Sequence, residues 1–297
     1  MAAYGSAVAH SLPTMKISGT TRVFLIVGDP VAQVRAPEAF NHLFARHGVD
    51  AVLVPARVAP ADLEGFVRHA FRAGNIDGVW VAIPHKAGIT RLLDRCDALG
   101  RAAGAVNAVR RGADGALEGA LFDGVGFTKA LGAFGVPVPG RRAVVFGVGG
   151  GGVAIAASLA QQGAARVALY DTVPGRTAEV ASRLRAAFGA VVVALDAADP
   201  AGHDLVVHAT PLGLRPDDPL PFDVDRIDAG ATVVDILMKD APTPLLRACR
   251  ARNLVAHPGF EMLVQQVPEY LAFFGFDGIA RAVQADPAGV RALFATG

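Results

Sequence analysis

Residues 142–162, RAVVFGVGGGGVAIAASLAQQ, determine the architecture of the second half of the chain. A short β-rich run enters a glycine turn, and the apolar residues that follow predict a helix over Val153–Gln162. Gly147, Gly149 and Gly152 fit the pattern G-x-G-x-x-G. The first glycine permits the tight turn, the second lets a pyrophosphate approach the backbone, and the third lets helix and strand pack closely. Because free amides at a helix N-terminus bind phosphate, the segment predicts a dinucleotide-binding Rossmann unit.

An acidic residue follows the glycine turn at the expected distance. Asp171 lies 19 residues beyond Gly152, at the end of the next predicted strand. A carboxylate there accepts hydrogen bonds from the ribose hydroxyls and repels a 2′-phosphate, so we expect NAD as the cofactor, with NADP as the alternative. Arg176 could weaken this preference, or could be only a solvated residue at a helix start.

Strand-like and helix-like runs alternate along both halves of the chain. This alternation predicts an α/β fold, with a parallel sheet and right-handed crossovers in the first half and a doubly wound pattern in the second. The glycine- and proline-rich run 135–140 marks a domain boundary. We expect a flexible leader at 1–20, a substrate domain formed by 21–135 with 260–297, and a doubly wound dinucleotide domain at 136–259, with the active site in the cleft between the two domains. The predicted strands are 22–28, 51–55, 78–83, 105–111, 116–122, 142–146, 166–170, 191–195, 205–209 and 232–236, and the predicted helices are 37–46, 62–73, 126–134, 153–162, 177–188, 262–274 and 277–294.

Composition excludes several classes of function. The chain has 297 residues and a net charge of +1, and its basic residues are scattered, so we expect neither a nucleic-acid partner nor an anionic membrane surface. Cys96 and Cys249 are far apart and form no disulfide framework or metal-ligand pattern, which predicts a cytoplasmic protein without a metal. The apolar run 143–160 contains five glycines, so a strand, a turn and a buried helix explain it better than a membrane span.

Two charged residues in the first half stand just beyond predicted strands. Lys86 follows the strand 78–83, and Asp123 follows the strand 116–122. Ligands bind at the carboxyl ends of strands in open α/β sheets, so both residues are candidates for catalysis. Taken singly, each could equally be a solvated loop residue or a turn residue.

At these residues the sequence resembles the shikimate dehydrogenase family, from about Val23 to Phe294. The resemblance rests on an ordered set of motifs. They are 28–32 (GDPVA), 81–86 (VAIPHK), 104–107 (GAVN), 123–126 (DGVG), the glycine turn, 209–213 (ATPLG, where the family has N-A-T-x-x-G), Asp235 with 243–245 (TPL), and 259–266 (GFEMLVQQ).

The resemblance implies reversible hydride transfer between a nicotinamide cofactor and a secondary alcohol on a shikimate- or quinate-like ring. It implies that Lys86 is the general acid/base, that Asp123 is its partner, and that Asn107 and Gln266 contact the substrate; Gln265 is the competitor of Gln266. Proton transfer of this kind contributes roughly 10²–10⁴-fold to the rate. The residues expected to bind the cofactor are Gly147, Gly149, Gly150, Gly151, Gly152, Asp171, Thr210, Leu212 and Gly259.

The chain departs from the family where the substrate carboxylate binds. The family's serine pair, S-x-S-P, is replaced by VRAP at 34–37, and other replacements that remove polar groups are Trp80, Ala82, Leu121, Phe122 and Met238. We expect Arg35 to bind the carboxylate instead, assisted by Gln33 or His85. Alternatively the substrate is less polar, and Trp80 and Phe122 cover an apolar ring face. In a third interpretation Trp80 is a core residue and Arg35 a surface residue. In the first two cases shikimate itself should be a poor substrate.

Two other functions are compatible with the sequence. One is a non-catalytic NAD-binding regulatory protein, which the pair Lys86 and Asp123 argues against, since binding alone requires no proton transfer. The other is a related cleft enzyme with a larger substrate, such as a tetrahydrofolate-linked dehydrogenase, although Asn107 and Gln266 favour a small ring. We expect a small-molecule substrate as partner, and the sequence is compatible with a homodimer.

Overall fold

A computed structural model describes residues 16–215, 217–239 and 241–295. These residues form two six-stranded sheets flanked by helices, which confirms the predicted α/β class. Residues 1–15 of the predicted leader lie outside the described residues. At its end, Thr20 Oγ1 donates to Asp50 Oδ2 at 2.7 Å. The domain limits given above stay predictions.

The first sheet is mixed. Its strands are β1 (Arg22–Gly28), β2 (Ala51–Arg57), β3 (Ile76–Val81), β4 (Arg95–Cys96), β5 (Ala108–Arg111) and β6 (Leu117–Ala120). They lie in the order β2-β1-β3-β5-β6-β4. β1 is parallel to β2 and β3, whereas β5 is antiparallel to β3 and to β6. The predicted hairpin between β5 and β6 is therefore present.

The second sheet is entirely parallel. Its strands are β7 (Arg142–Phe146), β8 (Arg166–Tyr170), β9 (Val192–Ala194), β10 (Leu205–His208), β11 (Thr232–Asp235) and β12 (Val255–Pro258). They lie in the order β12-β11-β10-β7-β8-β9. The chain runs outward from β7 on one side and returns to its other side at β10, and this change of direction leaves a crevice at the carboxyl ends of the strands.

The helices connect and cover the strands. They are α1 (Ala36–Arg46), α2 (Leu63–Ala70), α3 (His85–Gly88), α4 (Ala98–Ala103), α5 (Asp123–Ala133), α6 (Gly150–Gln161), α7 (Arg176–Phe188), α8 (Pro244–Ala251), α9 (Phe260–Phe273), α10 (Asp277–Ala285) and α11 (Ala288–Ala295). The sequence did not predict β4, β12, α3, α4 or α8, each of which has eight residues or fewer. None of the helices in the described ranges is long and apolar enough to cross a lipid bilayer.

Helix α5 begins at Asp123, three residues earlier than predicted. The prediction began too late because glycines in the first turn weaken the helical pattern of the sequence. These glycines are required by close packing. An alanine at Gly124 would place Cβ 2.1 Å from the backbone oxygen of Ala154 in α6, and one at Gly126 would place it 2.6 Å from that of Met262 in α9. Asp123 therefore lies in the first turn of a helix held between two others.

The C-terminal helices pack on the first sheet through an aromatic cluster. The ring of Phe274, at the end of α9, stacks on Trp80 of β3 with centroids 4.1 Å apart. Phe24 of β1 meets Trp80 edge-on at 5.5 Å. A side chain at Gly78 would lie 2.2 Å from the Phe274 ring, so this glycine permits the contact. Helix α9 thus joins the sheet to α5 and positions its own polar residues.

Candidate active site

The glycine turn has the geometry that its spacing predicts. Gly147 has φ of 91°, a left-handed conformation that favours glycine. An alanine at Gly152 would place Cβ 1.8 Å from the Gly147 oxygen, so the third glycine permits helix and strand to approach. At Gly149 a Cβ would meet no protein atom within 4 Å. The second glycine is therefore open to a ligand, and Gly150 begins α6 directly beside it.

The predicted cofactor residues beyond the turn form its other wall. The Thr210 methyl group lies 2.9 Å from the Cβ position of the first glycine in the turn. The Leu212 amide donates to Thr210 Oγ1 at 3.1 Å. Gly259 approaches the backbone of Ile236, whose side chain in turn lies 3.4 Å from the Cβ position of Gly151. Both ends of this wall thus lie next to the glycine turn.

Asp171 is tied to the same turn. Its carboxylate accepts from the Val148 amide at 2.9 Å and from the Val173 amide at 2.9 Å, and its side chain is 8% exposed. Arg176 Nη1 lies 3.5 Å from the same carboxylate. The acidic group is fixed at the edge of the crevice, with a single partly exposed guanidinium to offset its charge.

Lys86 and Asp123 form a partly buried ion pair. Lys86 Nζ donates to Asp123 Oδ2, and the side chains are 17% and 8% exposed. The Lys86 backbone oxygen accepts from the Val106 amide at 2.9 Å, which anchors α3 to the loop before β5. The Cδ atom of Lys86 lies 3.4 Å from the Cβ position of Gly150. The structure therefore brings the predicted catalytic pair to the glycine turn.

Two buried amides near this pair have unused hydrogen-bond donors. Asn107 Oδ1 accepts from the Phe122 amide at 2.9 Å, but Asn107 Nδ2 has no partner among the described residues. Gln266 Nε2 is also buried and without a partner there. Its Cγ lies 2.4 Å from the Cβ position of Gly126, one turn after Asp123. Gln265 instead donates to Glu261 at 2.8 Å, so Gln266 is the glutamine near the pair.

With this geometry in place, the chain can be compared with known proteins. The family model described as shikimate dehydrogenase substrate binding domain matches residues 26–109. A shikimate dehydrogenase (NADP(+)) from Rubrobacter xylanophilus is 38% identical over 267 residues, which cover 88% of this chain and 94% of the relative. The chain belongs to the shikimate dehydrogenase family.

Further relatives extend the same comparison. A shikimate dehydrogenase (NADP(+)) from Acidiphilium cryptum is 39% identical over 92% of this chain and 99% of its own. Quinate dehydrogenase from Corynebacterium glutamicum, solved in complex with NAD, superposes with a TM-score of 0.80 at 26% identity and covers 92% of this chain and 98% of its own. The substrate-plus-Rossmann architecture of shikimate dehydrogenases is therefore shared along nearly the whole chain.

In place of the serine pair of the shikimate dehydrogenase family, the structure has a guanidinium with a free donor. Arg35 occupies the N-cap position of α1, but its side chain makes no capping hydrogen bond. Its Nε lies 3.3 Å from Glu38 Oε2. Its Nη2 atom is buried and has no partner among the described residues. An unpartnered buried donor of this kind needs a partner other than the described protein atoms, such as a ligand or an ordered water. The exposed side chain of Gln33, predicted to assist Arg35, donates to the Pro30 backbone oxygen at 2.8 Å.

Two predicted substrate residues have structural roles instead. Trp80 is 2% exposed, and it lies in the core between Phe274 and Phe40. His85 is also buried, with Nε2 2.8 Å from the Val58 oxygen. This geometry corrects the prediction that Trp80 covers a ring face and that His85 assists Arg35. The interpretation of Trp80 as a core residue agrees with the structure.

The sequence analysis did not identify Tyr270. Its hydroxyl donates to the backbone oxygen of Asn107 at 3.4 Å. Burial, together with the negative charge of Asp123, raises the pKa of Tyr270 well above its ordinary value, so the phenol stays protonated. Tyr270 follows Gln266 by four residues in α9, and this helical spacing is the signal that could have identified it.

Proposed function

We propose that the protein is an NAD(P)-dependent dehydrogenase that transfers a hydride to and from a secondary alcohol of a shikimate- or quinate-like ring. The observation that carries the proposal is the pair of Lys86 and Asp123 beside Gly150. A protein that only binds a dinucleotide would not need a buried ammonium and carboxylate at that place. Membership of the shikimate dehydrogenase family supports the same reaction.

The crevice fits a dinucleotide. Room for the cofactor lies above Gly149 and beside the Thr210 wall. The N-terminus of α6 supplies amide donors for the phosphates, and the Asp171 carboxylate supplies an acceptor for the ribose hydroxyls. The bound cofactor would supply or accept the hydride. The protein itself positions the ring and moves the hydroxyl proton.

Lys86 is placed to handle that proton. In reduction, the Lys86 ammonium donates a proton to the developing alkoxide oxygen, and in oxidation the amine accepts it from the hydroxyl. The hydrogen bond to Asp123 Oδ2 fixes Nζ in position. No group among the described residues donates to Asp123 Oδ1, which can accept a hydrogen bond from the substrate hydroxyl.

We propose that the substrate carries a carboxylate that Arg35 binds. Asn107 Nδ2, Gln266 Nε2 and Arg35 Nη2 are three buried donors without partners among the described residues. A ring with hydroxyl and carboxylate oxygens would satisfy them, whereas an apolar ring would leave them unpaired at a cost of about 1–3 kcal/mol each. The burial of Trp80 in the core also removes one of the two residues, Trp80 and Phe122, that favoured a less polar substrate.

We further propose that NAD is the preferred cofactor. Asp171 is nearly buried and already holds the glycine turn through Val148, so a 2′-phosphate would meet a fixed negative charge. The relatives from Rubrobacter and Acidiphilium are named as NADP(+) enzymes, whereas the Corynebacterium quinate dehydrogenase was solved with NAD. The carboxylate at position 171 favours the second case.

We also infer a cytoplasmic location. Cys96 and Cys249 are both free thiols in the described part of the chain, and burial raises the pKa of each to about 11. Such thiols are unreactive and fit a reducing compartment. Fractionation of cells that express the protein would test the inference.

A direct assay tests the activity. Purified protein is incubated with shikimate, quinate and related cyclic hydroxy acids, with NAD and NADP in parallel, and reduced nicotinamide is followed by absorbance. Lys86→Ala should lower kcat by about 10²–10⁴-fold while the Kd for NADH stays unchanged. Absence of turnover with every ring, or full activity in Lys86→Ala, would contradict the proposal.

A further inference from the structure

A buried chain of polar side chains lies behind the cofactor wall. His208 and Asp235 are the last residues of β10 and β11, they pair in register, and both are fully buried. His208 Nδ1 lies 3.0 Å from Asp235 Oδ1, and His208 Nε2 lies 2.6 Å from Thr210 Oγ1. The proposed reaction uses neither His208 nor Asp235.

The hydrogen positions in this chain follow from its ends. Asp235 accepts from the Thr243 hydroxyl at 2.5 Å and from the Leu237 amide at 3.1 Å. A carboxylate only accepts hydrogen bonds, so Nδ1 of His208 donates to Asp235 Oδ1. With the ring hydrogen on Nδ1, Nε2 is the acceptor, and the Thr210 hydroxyl donates to it.

The Thr210 hydroxyl therefore has its hydrogen directed away from the crevice. Its oxygen also accepts from the Leu212 amide at 3.1 Å, and one lone pair remains. Thr210 borders the glycine turn through its methyl group, 2.9 Å from the Cβ position of Gly147. Toward the crevice the hydroxyl can act only as an acceptor.

Strand order indicates which half of the cofactor meets this acceptor. Asp171 follows β8, on one side of β7, and binds the adenosine ribose under the proposed function. Thr210 follows β10, on the other side of β7. A dinucleotide that crosses the turn therefore brings its nicotinamide half to Thr210, and the donors there are ribose hydroxyls and the carboxamide N–H.

We propose that His208, oriented by Asp235, is a positioning residue for cofactor binding that fixes the Thr210 hydroxyl as an acceptor for the nicotinamide half. The proposal rests on the proposed function, because it takes Thr210 to border the dinucleotide. The chain has histidine where the motif of the resembled family has asparagine. The amide of an asparagine ends near the position of Nδ1, so it can donate to Asp235 but is too short to reach Thr210.

The main test is a double-mutant cycle on NADH affinity, read by fluorescence titration. His208→Asn keeps the Asp235 contact and should raise the Kd for NADH about 3- to 10-fold, the range of one hydrogen bond. His208→Gln, whose longer amide reaches toward Thr210, should restore part of the affinity. In a Thr210→Val background His208→Asn should have no further effect on the Kd for NADH.

Control measurements separate positioning from general damage. His203→Gln changes another buried histidine, before β10 and at the opposite end of that strand, and should leave the Kd for NADH unchanged. In steady state, His208→Asn should raise the KM for the cofactor and leave the KM for the ring substrate unchanged. Nitrogen-15 NMR of the imidazole should show the neutral ring of His208 with its hydrogen on Nδ1.

Three results would overturn the inference: unchanged NADH affinity in His208→Asn, an equal effect of that substitution in the Thr210→Val background, or a neutral His208 ring with its hydrogen on Nε2. If a variant does not fold, the NMR experiment on the wild-type protein still decides. Failure of the wild type to bind any dinucleotide would instead refute the proposed function, so the two failures are distinguishable.

Discussion

Replacing Asp171 by asparagine tests the electrostatic basis of cofactor choice. The substitution removes one negative charge where an NADP 2′-phosphate would lie and keeps an oxygen that can accept a hydrogen bond. Two unit charges about 5 Å apart interact by about 2–3 kcal/mol at an effective dielectric of roughly 20–40. Arg176, 3.5 Å from the carboxylate, offsets part of this repulsion. We therefore expect kcat/KM for NADP to rise at least about 10-fold.

The same substitution should weaken the binding of NAD. A charged hydrogen bond to the ribose is about 1 kcal/mol stronger than a neutral one, which corresponds to about 5-fold. The asparagine oxygen can also hold only part of the contacts with Val148 and Val173. The ratio of NAD to NADP efficiency should therefore fall by about 50-fold or more.

The measurement is kcat/KM for both cofactors at a fixed ring concentration, in low and in high salt. Asp196→Asn is the matched control, because it removes the same charge from an exposed loop after β9. The reasoning is refuted if the ratio in Asp171→Asn equals that of the wild type, or if the wild type itself is more efficient with NADP.

Three further predictions follow from single contacts. Gly152→Ala should prevent folding or lower the Tm strongly, because its Cβ would lie 1.8 Å from a backbone oxygen. Gly149→Ala should melt like the wild type and lose NADH affinity. Equal Tm values and equal NADH affinities of the two variants would contradict this prediction. Arg35→Met should raise the KM for a ring carboxylate about 10-fold or more, with the KM for NAD unchanged, and an unchanged substrate KM would remove Arg35 from the site. The hydrogen bond from Arg291 lowers the pKa of Glu261. The ion pair should therefore stabilise the fold at pH values above 4.5, the ordinary pKa of glutamate, and lose this contribution as the pH falls through the folded-state pKa. The Tm difference between the wild type and Glu261→Gln should shrink below about pH 4.5 and not above it.

Much of the fold could be predicted because local patterns agree with the tertiary structure. The run from β7 through the glycine turn to α6 contains its own strand, turn and helix signals, and each glycine has the steric role that its spacing implies. The short elements β4, β12, α4 and α8 were missed because two to eight residues seldom carry a period of their own. The start of α5 at Asp123 was hidden by glycines that only its helical neighbours explain.

Side-chain direction was predictable where a motif fixed it and not elsewhere. Lys86 and Asp123 meet because both follow strands of one sheet at the same edge. Trp80 and His85 lie close to Lys86 in sequence, but whether their side chains turn toward the crevice or the core depends on α9 and on the loop at Val58. No local pattern carries that information.

Under the proposed function, the substrate pocket differs from the family pattern in the kind of donor that binds the carboxylate. We propose that one buried guanidinium nitrogen of Arg35 replaces the serine hydroxyls expected near the substrate carboxylate, while Asn107 Nδ2 and Gln266 Nε2 have no partner among the described residues. A guanidinium is longer than a serine hydroxyl, so a carboxylate bound to Arg35 holds the ring at a different distance from Lys86. Positioning within a fraction of an ångström supplies much of the rate. Shikimate, whose ring suits the hydroxyl pair, should then react with kcat/KM well below about 10⁶ M⁻¹s⁻¹, and a ring whose carboxylate extends differently should exceed it. The test is the ratio of kcat/KM for shikimate to that for quinate, in the wild type and in Arg35→Ser. If the donor sets the position of the ring, this ratio should be higher in Arg35→Ser than in the wild type. An equal ratio in both proteins would show that Arg35 does not set the ring position.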